Sequence, residues 1–148
     1  MLIENSEGEL MQKKLQTIRL LPLYALYLGT FGLAAGTKIL GFPAVPQWFN
    51  ETFAGTFLAA SPSLLGLSFY FIAGLESFTF LCFATSFIKG EFKPNRTRPI
   101  LYFALWMASL TFVALGLGLR LARNYSGAAD LFAYFGATLV AMIYADRN

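Results

Sequence analysis

Four long stretches without a charged residue, or nearly so, set the pattern of hydrophobic and polar positions along this chain. Between Arg19 and Lys38 no residue is charged, and the run 20–41 is long enough to cross a hydrocarbon layer of about 30 Å at about 1.5 Å per residue. A second run, 62–88, opens on Ser61-Pro62, a capping residue followed by proline at the first helical position, and closes at Lys89-Gly90. The third, 99–119, lies between Arg98 and Arg120, and the shorter fourth, 128–145, ends at Asp146-Arg147-Asn148. Each predicts a membrane-spanning helix, so the expected fold is an all-α integral membrane four-helix bundle in one domain.

Two further segments have helical character without the length to span. In 6–19, Ser6 and Glu9 form a capping box ahead of Leu10, Leu15, Ile18 and Leu21 at near-helical spacing, which predicts a short interfacial helix. In 45–60, Phe49, Phe53 and Phe57 share a helical face, and Trp48 beside Asn50 and Glu51 suits the headgroup level. This segment predicts an amphipathic helix lying along the surface between spans one and two, or capping the bundle. The mostly polar residues ahead of the first apolar run make an N-terminal signal peptide unexpected.

Small residues recur inside the spans. Gly29, Gly32 and Gly36 fall on one face of the first, and Ala133, Ala137 and Ala141 on one face of the fourth. Both read as packing seams, where missing side chains let a neighbouring helix approach closely. Tyr24, Tyr27, Tyr102 and Tyr144 lie near the span ends and read as interfacial anchors.

Composition agrees with this pattern: 57% of the 148 residues are hydrophobic and 13% charged, well above the roughly 45–50% apolar content of a soluble domain. The net charge of +3 comes from eleven Lys and Arg spread among helix ends rather than gathered on one face, which argues against nucleic acid as a partner. Counted by side, Lys13, Lys14, Arg19, Lys89, Lys93, Arg96, Arg98 and Arg147 stand against Lys38, Arg120 and Arg123. The excess places both termini in the cytoplasm, with 89–99 a tight cytoplasmic loop. The expected location is a bacterial inner membrane, with membrane lipids as immediate partners. No histidine occurs, and Cys82 is the only cysteine. These 148 residues therefore offer no His-ligated haem or zinc, no intrachain disulfide and no Cys-x-x-Cys redox pair.

One position resists the apolar pattern. Glu76 sits within FYFIAGLESFTFLCF, near the middle of the second span, where an acidic or basic residue costs about 2.5–3.5 kcal/mol on insertion scales. It should therefore face the bundle interior or water and have a partner. Ala73 and Thr79, three residues to either side, give it a small or polar helical face. Lys38 is the one basic residue within the apolar limits of span one, yet its place near the outer end predicts a side chain too shallow for a midplane carboxylate. Two roles stay open for Glu76. It can exchange protons or hydrogen-bond a quinone-like head group, or it can join helices through a hydrogen bond worth about 0.6–2 kcal/mol. At the outer rim, Arg120 and Arg123 precede Asp130 across a short turn. They are candidates for an exposed ion pair worth less than about 1 kcal/mol. No set of residues forms a self-contained catalytic centre, and none a metal site.

The order of motifs, IRLL before span one, GLAAGTK near its end, a proline-rich aromatic segment and then AGLE inside span two, resembles the DoxX-like family of small four-helix membrane proteins. The resemblance rests on Arg19, Gly32, Gly36, Lys38, Gly74 and Glu76; Ser77-Phe78-Thr79-Phe80 departs from the glycine usual after the glutamate. It implies a membrane subunit associated with redox systems, in some members with quinone-linked oxidation of sulfur compounds. On that reading the chain is an accessory subunit docked on a larger membrane complex, binding no cofactor alone. The competing expectation is a stand-alone binding or transport protein in which Glu76, Lys38 and Thr79 line a site for protons, a quinone or a lipid-like ligand.

Overall fold

The computed structural model describes residues 2–41, 44–93 and 96–146; these are mostly helical, joined by turns and short irregular connections, with no strand among them. Five α-helices follow one another: α1 (Leu2–Leu40), α2 (Gln47–Phe53), α3 (Pro62–Ile88), α4 (Pro99–Leu121) and α5 (Tyr125–Asp146), with a short 3-10 turn at Phe57–Ala60. Four of them, α1 from Arg19 onward and α3, α4 and α5, are long and apolar enough to cross a membrane. The fold is thus the all-α membrane bundle that the apolar runs require.

The N-terminal segment is not a separate helix. Residues 9–21 contain neither glycine nor proline and are rich in strong helix formers, so nothing stops the helix before Pro22 and α1 continues through to Leu40. The capping-box residues Ser6 and Glu9 lie inside it rather than at its start. The side chains of Leu10, Leu15 and Ile18 lie outside the described residues.

Antiparallel packing sets the register of the bundle. Along α1 and α3, the Tyr24 hydroxyl meets Ser86 Oγ at 2.6 Å, and Tyr27 stacks on Phe83 with centroids 4.8 Å apart. Gly32 backs onto the Phe80 ring, where a Cβ would come within 3.1 Å. Between α3 and α4, Thr79 and Thr111 hydroxyls meet at 3.2 Å. Thr111 also donates its one hydroxyl hydrogen to the Met107 carbonyl, so Thr79 is the donor between the helices. On α4 and α5, Gly116 lets the Phe132 ring in to 2.9 Å of where a Cβ would stand. Tyr27 closes the ring of helices by donating to Thr138 Oγ1 of α5 at 2.8 Å. Tyr24 and Tyr27 are therefore core residues, 1% and 4% exposed, and not interfacial anchors. Hydroxyls paired across helices satisfy their own bonding where lipid offers no partner.

Only part of each small-residue seam is used. Gly32 packs, while Gly29 and Gly36 have open space where a side chain would be. Ala133 and Ala137 face outward on α5.

On the side of the termini, α3 ends in a hydrogen-bonded reverse turn. Gly90 adopts φ +72°, its N–H reaching Phe87 O while Glu91 N–H reaches Ser86 O, the Schellman arrangement that favours glycine. The turn delivers Glu91, only 6% exposed, to the start of α4. There its carboxylate accepts from Leu101 N–H at 2.7 Å, Ile100 N–H at 3.2 Å and Ser86 Oγ at 2.7 Å. Since Ser86 gives its hydrogen to Glu91, Tyr24 must be the donor to Ser86. Arg98 is also buried and donates to Glu91 O and Ala145 O, so this basic residue ties the loop to α5 rather than sitting free on the surface. Acidic charge at a helix N-terminus is favourable; sequence reading passed over Glu91 because it falls in a loop dominated by basic residues.

At the other side α4 ends in the same kind of turn, with Arg123 N–H on Arg120 O and Asn124 N–H on Leu119 O. Here Arg123 occupies the left-handed position, φ 60°. Asn124 then caps α5, its Oδ1 accepting from Gly127 N–H at 3.0 Å. Because α5 starts at Tyr125 and not near Ala128, Asp130 lies beyond its first turn.

These two turns generate opposite expectations. Arg123→Gly relieves a left-handed strain of about 1–2 kcal/mol and is expected to raise the thermal midpoint in detergent. Glu91→Gln sets an amide hydrogen against donors at the start of α4 and is expected to cost about 1–3 kcal/mol, read as a lower midpoint in the same assay.

Candidate ligand-binding site

Glu76 is 3% exposed and points into the bundle, where Lys38 Nζ donates to its Oε2 at 2.5 Å. The pair forms despite the shallow position expected for Lys38, and helix register explains how. Tyr24 opposite Ser86 and Tyr27 opposite Phe83 place Lys38 level with Ile72 and Leu40 level with Tyr70. Glu76 then lies four residues deeper than Lys38, about 6 Å along the axis, within reach of a lysine's four-carbon stem. α3 begins eight residues before Tyr70 and so overshoots the end of α1 by about 12 Å. Spans one and two do not end level with each other on this side, so a place near the end of span one does not make Lys38 shallow relative to Glu76. Gly36, on the face away from Lys38, has open space beside it, so only the lysine face of α1 needs burial.

The Lys38 ammonium makes a second bond to the Ala34 carbonyl at 3.4 Å, and its side chain is 13% exposed against 4% for that of Glu76. Thr79 does not join the pair. It is fully buried and spends its hydrogen on Thr111. At the rim, Arg120 lies over the Tyr125 ring at 5.5 Å, and among the described residues no ion pair joins Arg120 or Arg123 to Asp130.

Where α1 stops short, residues between α1 and α3 cover the space above it. The expected single helix over 45–60 is two pieces, because α2 ends at Phe53 and a turn at Ala54 and Gly55 precedes the 3-10 turn. Phe57 is thereby rotated out of the aromatic face and is 65% exposed. Phe49 and Phe53 turn inward, each 6% exposed, with Phe49 edge-on to Phe69 of α3 at 5.2 Å. α2 is thus held over the bundle by its aromatic face.

Beneath α2, between α3 and α4, is a cavity of about 710 Å³, inside the roughly 300–1,000 Å³ range of small-molecule sites. Its walls are Phe49 and Phe53 above, Phe71 and Ile72 of α3, and Ala114 and Gly118 of α4, with Lys38 at the inner end. Leu67 and Phe71 line it yet are 66% and 60% exposed, so it opens sideways toward lipid. Polar groups are few. Ser68 Oγ donates to Leu64 O and Thr52 Oγ1 to Trp48 O, which spends both hydroxyl hydrogens on their own helices. The arrangement is an apolar chamber with one cation at its end, neutralised from behind by Glu76.

No protein-family model, curated protein or solved structure matches the chain.

Removing one partner of a buried ion pair leaves the other uncompensated, whereas an apolar pair of similar shape is often tolerated. Glu76→Leu alone is expected to destabilise by about 3 kcal/mol, and Glu76→Leu with Lys38→Met to recover most of the loss. Thermal midpoints of the two single variants and the double variant in one detergent check this; additive losses would show that the pair is not coupled.

Proposed function

We propose that this small integral membrane protein binds a largely apolar molecule, taken laterally from the lipid phase, in the chamber beneath α2. The observation that carries the reading is a lipid-facing cavity of about 710 Å³ with the Lys38 ammonium in its wall. Cost supports it as well: an intramembrane ion pair is expensive and tends to mark a site. Among the described residues this pair is joined to a pocket, not sealed in the core.

The other reading, an accessory subunit docked on a larger redox complex, draws on the outward Ala133 and Ala137 of α5, a face that lipid covers equally well. Kinship with DoxX-like proteins belongs to the same proposal. What favours it is that GLAAGTK and AGLE, far apart in the chain, meet through Lys38 and Glu76. Cytoplasmic termini are supported by the excess of basic residues on that side.

Gly118 offers the direct test. A Cβ there meets only the Phe53 ring, at 3.8 Å, so Gly118→Leu fills the chamber without backbone conflict. Leucine is also a better helix former than glycine, which lies roughly 0.8–1 kcal/mol below alanine. Native mass spectrometry and solvent extraction of the protein purified in mild detergent are expected to find a bound apolar molecule in the parent. They are expected to find it at least tenfold depleted in Gly118→Leu, at an unchanged or higher thermal midpoint, since one filled subsite is worth more than about 1.4 kcal/mol. Equal occupancy in both proteins would sink the proposal.

A further inference from the structure

Granting the chamber as a binding site, its polar end specifies the charge of the head group it takes. We infer that the ligand presents a neutral hydrogen-bond acceptor oxygen, such as an ester or ketone carbonyl, to the Lys38 ammonium, and not an anionic group. Three observations combine to give this.

The first is donor bookkeeping. An ammonium has three hydrogens, and Lys38 uses two, on Glu76 Oε2 and Ala34 O; among the described residues the third has no acceptor. Lys38 lines the cavity, so the chamber holds a charged donor with one hydrogen to offer. The Ser68 and Thr52 hydrogens are already committed. The other donor-bearing side chains of the lining, Trp48 near the start of α2 and Asn124 in the turn between α4 and α5, are exposed. A ligand acceptor placed deep in the chamber therefore has Lys38 as its donor.

The second is charge balance. Lys38 is compensated by a carboxylate at 2.5 Å that is itself 3% exposed. An anion brought to the same ammonium would stand beside Glu76, with one positive charge shared between two negative ones in an apolar enclosure. It would also give up its hydration there, and burying an uncompensated charge is costly. A neutral carbonyl meets neither penalty and still gains a charge-assisted hydrogen bond. A cationic head group fares no better, because the ammonium lies between the cavity and Glu76.

The third is the route in. Leu67 and Phe71 form an apolar, exposed side of the chamber, which admits a molecule whose bulk is hydrocarbon and whose polarity is confined to a small uncharged group. Glycerol esters and ketone-bearing isoprenoids share this chemistry.

The experiment compares probes with one tail and different heads, methyl palmitate, palmityl sulfonate and palmityl trimethylammonium, displacing a fluorescent alkyl ester from the full-length protein in neutral detergent. Methyl palmitate is expected to compete at least tenfold better than either charged probe, the factor that one hydrogen bond to a charged group supplies. A monoacylglycerol and a prenylated quinone, tested beside it, show which source of carbonyl fits better. Glu76→Gln uncovers the Lys38 charge, and the order is then expected to invert in favour of the sulfonate. If that variant does not fold, the apolar pair Lys38→Met with Glu76→Leu is expected to bind methyl palmitate about tenfold less tightly and to lose discrimination among heads. Sulfonate winning in the parent, or the same rank order in parent and variants, overturns the head-group inference. The chamber reading survives that outcome if Gly118→Leu still weakens every probe, and fails with it if no probe binds or Gly118→Leu changes nothing.

Discussion

A carboxylate near the middle of a membrane helix must be compensated, and the structure on the side of the bundle away from the termini depends on how that is done. Glu76 reaches charge balance only because Lys38 stands about one helical turn above it. That height follows from α1 ending about 12 Å short of the start of α3, a distance fixed by the Tyr24–Ser86 and Tyr27–Phe83 contacts lower down. Stopping α1 early leaves a space above it between α3 and α4. α2 roofs that space without filling it, since a seven-residue helix with two inward phenylalanines cannot supply the side chains of two more turns of a spanning helix. Ion pair, roof and chamber are consequences of one register.

The two sides of the bundle are built differently. On the side of the termini, buried polar groups knot the chain together: Tyr24 donates to Ser86, Ser86 to Glu91, and Glu91 receives the first free N–H groups of α4, while Arg98 reaches the last turn of α5. A fully satisfied network of this kind rigidifies what it joins. On the opposite side the Lys38–Glu76 pair joins α1 to α3, while the hydrogen bonds described around α2 are local: Gln47 to Glu51, Thr52 to Trp48 and Thr56 capping the 3-10 turn. A rigid base under a lightly tied roof suits a site entered from the side.

Much of this was legible in the sequence, and what was not has a common cause. The spans follow from runs of apolar residues and their charged ends, because hydrocarbon demands that every backbone group be bonded within its own helix. Ser61-Pro62 and Lys89-Gly90 mark the ends of α3 through local chemistry alone. Sliding of one helix against another is different. It is decided by pairs such as Gly32 with Phe80 or Gly116 with Phe132, distant in the chain and carrying no periodic signal. For that reason Lys38 reaches deeper toward Glu76 than its place in its own span implies, and Tyr24 and Tyr27, close to a span end in sequence, are core residues bonded across helices. Glu91 was hidden for a related reason: its partners are the N–H groups of residues nine and ten positions on, which a reading by residue type does not display.

Stability alone does not account for keeping an ion pair where this one stands. Buried pairs are seldom better than well-packed apolar side chains of the same volume. The bundle already has its interhelical specificity from Tyr24, Tyr27, Thr79 and their partners, so Glu76 is not needed to set register. A lysine whose charge is balanced from behind and whose remaining hydrogen is free to meet an acceptor does something an aliphatic pair cannot: it holds a donor in an apolar chamber without leaving a net charge there. That is the property the proposed binding site requires, and the shortfall of α1 is the structural condition that creates it.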